Sequence, residues 1–373
     1  MKRPSGLRFE KRLTVARRMT VLVPVYSVLA ALVAGAMLMA VTGHNPIDTY
    51  HKIFERGFAS QSSMTETLKL ATPLLFTGLA AAAAFRMGLF NIGGEGQLIM
   101  GAIGASLAAI ALDGQAPPVI FIAMIACGMA FGSLYALIPG FLKARFQTSE
   151  IITTLMMNYI AGIVLNYLIF NSTSYWRDPH SRGFPTGKAI SPDAQWNTFT
   201  WDKLEIPLGF VVALVVATAV WTLYRKTRYG FEVAVVADAP QAARYAGVKT
   251  KRKILSVMAL SGGLAGLGGA SDIGDFRHVL DAKGLQQAGY GYTGIVVAAL
   301  ARLNPLAVIV VAIIMGGLTN AGSALQGPDF PAGLVGTLQG LILFFAVAGE
   351  VLTRYRIRRS PHRVDSAPTA VVA

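Results

Sequence analysis

Apolar residues fall along this chain in long unbroken runs, at positions 19–41, 70–85, 92–112, 118–142, 151–170, 207–224, 254–273, 291–300, 305–318 and 333–352. Apolar stretches of about 17 to 25 residues are long enough to cross a hydrocarbon core as helices. Helices and closed barrels are the only backbones that leave no polar group unpaired in lipid. A barrel reads as short alternating strands, and these runs do not alternate. The pattern predicts an all-α integral membrane protein with about ten transmembrane helices, the eighth run being too short to cross alone. The first run follows a basic stretch, as a signal sequence would. At about 23 residues it exceeds an h-region of 7 to 15, so it reads as an uncleaved helix.

Two places break the apolar pattern. The stretch GLFNIGGEGQLIMGA, residues 88–102, carries Asn91, Glu95, Gln97 and glycines at 88, 93, 94, 96 and 101 between two greasy runs. Each glycine weakens a helix by roughly 1 kcal/mol relative to alanine, so a break or tight turn is expected between the second and third spans. A charge at bilayer depth costs roughly 2.5 to 3.5 kcal/mol on insertion scales, so Glu95 faces protein, water or a helix end. Two readings stand side by side: Asn91, Glu95 and Gln97 line a substrate path, or Glu95 complements the dipole of the third helix with Asn91 as its cap. The stretch is echoed by GYGYTGIVVAALARLNPLAVIVVA at 289–312, where Tyr290 and Tyr292 stand at the head of the helix as further path candidates. Paired, glycine-interrupted segments are what a transporter built from structural repeats displays; the alternative is that glycine is common wherever membrane helices pack closely.

Composition agrees with the pattern. Of 373 residues 54% are hydrophobic and only 14% charged, with a mean hydropathy of +0.53. The net charge is +14, and Lys and Arg are distributed unevenly: with the amino terminus in the cytoplasm, 24 of the 33 fall on the inner side. Short cytoplasmic loops collect positive charge, which predicts both termini inside. The basic excess is thereby topology plus attraction to anionic lipid, and no nucleic acid is needed. Residues 1–18 are expected to form a basic cytoplasmic tail, 19–352 the transmembrane domain and 353–373 a second basic tail. One cysteine, Cys127, lies within a span, so neither a disulfide framework nor a metal cluster is expected.

Two loops stand out. The outer loop, 171–206, holds Trp176, Trp196 and Trp201, as an interfacial belt or a docking surface. In the inner loop, 225–253, Asp238 is expected to cap a short helix, Pro240 suits its first turn, Ala243, Arg244 and Tyr245 lie on it, and Gly247 ends it. So short a helix between two spans has little reason to exist unless it docks on a partner or lies on anionic lipid.

GLFNIGGEGQ, AARYAGV followed by SGGLAGLGGA, and GYTGIVVAALARLNP together resemble the permease subunits of bacterial ABC importers for simple sugars and nucleosides, in the branched-chain amino acid and ribose permease superfamily. The resemblance covers about residues 70–352, and NIGGEGQ is similar to the longer permease of guanosine and general nucleoside importers. It implies a bacterial inner-membrane subunit that forms the path for nucleosides, paired with a second related permease, driven by a cytoplasmic ABC ATPase and supplied by an external substrate-binding lipoprotein. ATP and Mg would sit on the partner ATPase, with no cofactor on this chain. The resemblance also implies that 238–247, with Asp238, Pro240, Ala243, Arg244, Tyr245 and Gly247, is the coupling helix; the chain departs from relatives in reading VVADA at 235–239.

Other classes fit less well. GGASDIGD at 268–275 suggests a membrane protease, yet all five histidines fall in loops or the tail, and a serine mechanism needs a base within hydrogen-bond reach. No GxxxxGK[ST] occurs, so any ATP is hydrolysed by another chain. A simple-sugar permease and an ion-coupled secondary transporter, with Glu95, Asp272 and Asp275 carrying protons, remain as alternatives.

Overall fold

A computed structural model describes residues 7–11, 17–181, 184–325 and 333–359. Strand β1 (Leu7–Lys11) precedes helices α1 (Arg17–Val41), α2 (Pro46–Phe54), α3 (Gln61–Phe85), α4 (Gly94–Ala111), α5 (Pro117–Phe146) and α6 (Glu150–Phe170). After the outer loop come a hairpin, β2 (Thr198–Trp201) and β3 (Leu204–Pro207), and helices α7 (Leu208–Lys226), α8 (Arg228–Asp238), α9 (Pro240–Tyr245) and α10 (Thr250–Ser271), the last running on into a π-helical turn at Asp272–Arg277. The chain ends in α11 (Ala282–Ala288), α12 (Tyr290–Leu300), α13 (Pro305–Ala324), α14 (Leu334–Arg354) and β4 (Tyr355–Arg359). All ten apolar runs fall in helices. Seven helices among the described residues are long and apolar enough to cross a membrane.

The eighth run is resolved by a bend. Its helix, α12, has 11 residues and is joined to the 7-residue α11 through Gly289, whose φ of 60° only glycine adopts readily. Antiparallel pairing of β1 with β4 brings the two described ends of the chain together.

The helices form two layers. The most apolar windows of α3, α4 and α10 are 83%, 72% and 78% buried, against 28% to 39% for α5, α6, α7 and α13. The outer layer shows lipid-type residues outward, such as Ile122 and Phe141 on α5 and Ile163 on α6. No hydrophobic force separates helix from lipid, so the inner layer is held by close packing. Glycines at i, i+4 supply it: Gly128 and Gly132 of α5 meet Gly262 and Gly266 of α10, and Gly101 of α4 also meets Gly266. A Cβ at Gly266 would strike the Gly128 carbonyl oxygen. These are backbone-to-backbone contacts with nothing flexible to yield.

The outer loop is folded onto the bundle. Trp196 is buried beneath it, stacked edge-on against Phe121 at 4.9 Å with its main-chain N–H donating to the Gly274 carbonyl at 3.0 Å. The Trp176 indole donates to the Ile103 carbonyl at 3.3 Å. Trp201 is exposed.

Candidate functional site

Helix α3 ends at Phe85, where the Arg86 guanidinium donates to the Leu303 carbonyl at 3.1 Å. From there the chain turns back into the bundle without helical structure before α4 starts at Gly94. Non-helical backbone at membrane depth is tolerated only where protein satisfies it, and side chains do so here. Thr154 of α6 accepts from Ile92 N–H at 3.2 Å. Asn158, one turn on, accepts from Gly96 N–H at 2.8 Å and donates to the Ile92 carbonyl at 2.9 Å. Asn91 accepts from Gly93 N–H at 3.0 Å.

Asn91 and Gln97 are locked amide to amide, with Nδ2 to Oε1 at 2.9 Å and Nε2 to Oδ1 at 3.0 Å. Asn91 also donates to Ser261 of α10 at 2.9 Å, and Ser261 donates to the Ala80 carbonyl of α3 at 2.8 Å. The re-entrant turn is thus tied to three other helices through buried polar groups. The expectation that Asn91 caps the third helix is corrected in detail: Gly93 occupies the N-cap and offers no side chain, while Asn91 holds the Gly93 N–H from two residues back.

Glu95, in the first turn of α4, spans to a second helix. Its Oε2 accepts from Gly291 N–H at 2.6 Å, in the first turn of α12. Gly291 has no room for a Cβ because Glu95 and Gly94 main chain lie against it. The two echoed segments therefore meet head to head, amino terminus against amino terminus, with one buried carboxylate between two helix dipoles that both favour it. Glu95 Oε1 is buried without a hydrogen-bond partner. Thr77 of α3 completes the junction by donating to the Tyr290 carbonyl at 2.9 Å, and a Cβ at Gly294 would strike Thr77.

Of the other path candidates, Tyr290 is buried, whereas Tyr292 is 42% exposed and its hydroxyl accepts from Asn158 at 3.2 Å. The five candidates, Asn91, Glu95, Gln97, Tyr290 and Tyr292, are thereby brought into one region. Asn158 and Thr154 hold that region together and were not singled out from the sequence; an amide inside an apolar run was the signal. Asp272 is paired with Arg277 at 2.6 Å, and Asp275 accepts from Gly209 N–H at 3.2 Å at the start of α7. Among the described residues no three His, Cys, Asp or Glu side chains come together as metal ligands.

The inner-loop candidates lie apart from this region. Helix α9 covers Pro240–Tyr245, and its N-cap is Ala239 with no side-chain hydrogen bond. Asp238 instead ends α8, so it does not cap as the sequence suggested. The competition between two short helices decides this: α8 runs to Asp238 and leaves Ala239 as the joint. The other end is as expected, with Gly247 at φ 80°, its N–H donating to the Arg244 carbonyl at 3.0 Å and Val248 N–H to the Ala243 carbonyl at 2.9 Å. Ala243 is buried, while Arg244 is exposed and Tyr245 is 93% exposed. Helix α8 is fastened to α10: Glu232 pairs with Lys253 at 2.7 Å and with Arg228 at 2.9 Å, and Lys253 lies 4.2 Å over the Tyr229 ring. The hydrogen bond from Lys253 holds the Glu232 carboxyl below the usual carboxylate range.

Comparison with known proteins identifies the family. The profile described as branched-chain amino acid transport system / permease component matches residues 63–347, so the chain belongs to that family and is a multi-pass membrane permease. It is 36% identical to a guanosine ABC transporter permease of Bacillus subtilis, over 91% of this chain and 96% of that one. It is 32% identical to a glucose ABC transporter permease of Haloferax volcanii, over 94% and 93%. With a nucleoside ABC transporter permease of Lactococcus lactis subsp. cremoris the identity is 30%, over 87% and 90%.

Proposed function

We propose that this permease is the membrane subunit of an ATP-driven importer for nucleosides, seated in a bacterial cytoplasmic membrane with both termini inside. A cytoplasmic ABC ATPase, a second related permease and an external substrate-binding lipoprotein complete the machine. ATP and Mg belong to the ATPase, and this chain carries out no covalent chemistry. The observation that carries the reading is the near full-length similarity to guanosine and nucleoside permeases, supported by an exposed helix, α9, mounted on a fastened one.

Motion is the work this chain does. The ATPase pushes α9, whose exposed Arg244 and Tyr245 are the groups free to dock. Helix α8 and the Glu232–Lys253 pair pass the displacement to α10. Helix α10 packs by bare backbone on α4 and α5, so it moves them as a unit, because close-packed interfaces shift between arrangements and do not deform continuously. The head-to-head junction of α4 and α12 lies on the same unit.

Similarity to the glucose permease supports a monosaccharide importer as the second reading. Reconstitution with the neighbouring ATPase and binding protein separates the readings. Uptake of radiolabelled guanosine that needs ATP hydrolysis and survives an uncoupler supports the nucleoside importer. Glucose uptake in its place moves the assignment to sugars, and uptake that survives ATP depletion but collapses with the uncoupler makes it an ion-coupled transporter.

A further inference from the structure

Beyond the junction, on the side of α11, the structure contains a cavity of about 250 Å³ between α3, α11, α12, α13 and α14. Its polar lining is Gln287, Tyr290, Thr293, Thr319, Ser323 and Gln339. The volume falls just below the roughly 300 to 1,000 Å³ of sites for drug-sized ligands, a size for one small solute. Polar side chains inside a membrane span are costly unless they face water, protein or a ligand. Here the polarity is concentrated in one pocket, while the outward faces of α5 and of α13 below it, at Val310 and Ile314, are apolar.

Part of that polarity is unspent. Gln339 donates to the Thr319 hydroxyl at 3.1 Å, which leaves its carbonyl oxygen open. Ser323 donates to the Thr319 carbonyl at 3.2 Å and keeps its lone pairs. No hydrogen bond of the Gln287 amide or the Thr293 hydroxyl occurs among the described residues. Open donors and acceptors thus sit side by side, which is what a solute bearing several hydroxyl and ring-nitrogen groups can satisfy. Among the described residues no charged side chain lines the cavity. The nearby cation, Arg277, which interacts with Tyr290, is bound to Asp272 at 2.6 Å and Asp281 at 3.5 Å. A phosphate would find no partner there.

We infer that this cavity is a solute station on the path: it takes an uncharged, hydroxyl-rich solute, a nucleoside or a monosaccharide, and rejects the corresponding phosphate ester. This rests on the import reading above but adds a place and a charge rule to it. Gln287, Thr293 and Gln339 supply the hydrogen bonds, and Tyr290 joins the station to the junction, since its carbonyl is held by Thr77.

The test uses the full chain in proteoliposomes with its ATPase and binding protein. With Cys127 replaced by alanine, Gln287→Cys is expected to react with a membrane-impermeant thiosulfonate. Guanosine or glucose should slow the reaction about tenfold and guanosine monophosphate leave it unchanged; which of the two neutral solutes protects separates nucleoside from sugar. The paired change Gln339→Leu with Thr293→Val is expected to lower solute flux about tenfold while ATPase stimulation by the loaded binding protein persists. Equal protection by guanosine monophosphate, no protection by either neutral solute, or flux unchanged in the paired variant overturns the station. Should the paired variant fail to insert, flux through Gln287→Leu, at an exposed position, decides by the same criterion. The importer reading fails separately, through absence of ATP-dependent uptake in the parent; protection of Gln287→Cys in the permease alone then still reports on the cavity.

Discussion

The α4–α12 junction and the α8–α9 segment handle polar side chains in opposite ways. At the junction Asn91, Gln97, Thr154 and Asn158 are buried and spend their hydrogen bonds on main chain and on one another. On α9, Arg244 and Tyr245 reach outward and touch little of their own chain. The difference follows from solvent. Within a bilayer an unsatisfied backbone group has no water to fall back on, so a broken helix must recruit side chains; where α9 is exposed, water serves, and its side chains are left uncommitted. One region is built to keep its shape, and the other is the one proposed above to be grasped by a partner.

The comparison breaks most readily at the backbone contacts beneath the junction. Gly266→Leu drives a side chain into the Gly128 carbonyl and towards the Gly132 Cα of α5; overpacking costs about 1 to 3 kcal/mol where neighbours can shift, and main chain cannot. Loss of folded, extractable protein by size-exclusion chromatography is the expected result. If Gly266→Leu extracts and transports normally, the rigid inner layer is not real.

Next is Asn158→Leu, which strands Ile92 C=O and Gly96 N–H. Each buried group left unpaired costs about 1 to 3 kcal/mol, although hydrogen bonds measured inside membranes average nearer 0.6 kcal/mol. A thermal midpoint lowered by several degrees in detergent is expected, together with new proteolysis between Phe85 and Gly94.

Glu95 sharpens the comparison because its second oxygen is unpaired. Glu95→Gln keeps an acceptor for Gly291 and should shift stability by less than about 1 kcal/mol, within the range of a helix-dipole charge. Glu95→Leu removes the acceptor and should cost about 1 to 3 kcal/mol. If transport falls further than assembly in Glu95→Gln, the carboxylate serves the path; matched losses would make it purely a brace.

The effect on stability should vanish at the other region. Arg244→Glu with Tyr245→Ala changes exposed groups, so the thermal midpoint should move by no more than about 0.5 kcal/mol's worth, while substrate-stimulated ATPase activity is abolished in the reconstituted complex. Unchanged stimulation removes the coupling assignment. Smallest of all is the fastening of α8. Because Glu232 titrates below the ordinary carboxylate range when folded, its bond to Lys253 contributes fully above that range and is lost as pH falls through its lowered value. Coupling should hold through mild acid, and Glu232→Gln should weaken it slightly and more visibly at low salt.

The apolar runs were legible because the bilayer imposes length and composition on any span directly, residue by residue. The broken segments at 88–102 and 289–312 were also legible, since glycine and a carboxylate stand out against such a background. Gly247 could be read as a helix end from local chemistry alone, whereas Asp238 could not be placed: the choice between extending α8 and capping α9 depends on how α8 is fastened to Lys253, fifteen or so positions away in sequence.

By itself the sequence determined that the chain crosses a membrane many times, that two spans are interrupted, and which family it belongs to, because these depend on local hydropathy and contiguous motifs. Only the tertiary structure decided that the two interruptions meet through Glu95 and Gly291, that Asn158 replaces water for the turn at Ile92, and that Gln287, Thr293 and Gln339 share one cavity. The physical reason is that hydrogen bonds and close packing between helices join residues separated by tens to hundreds of positions, and no window along the chain contains both partners.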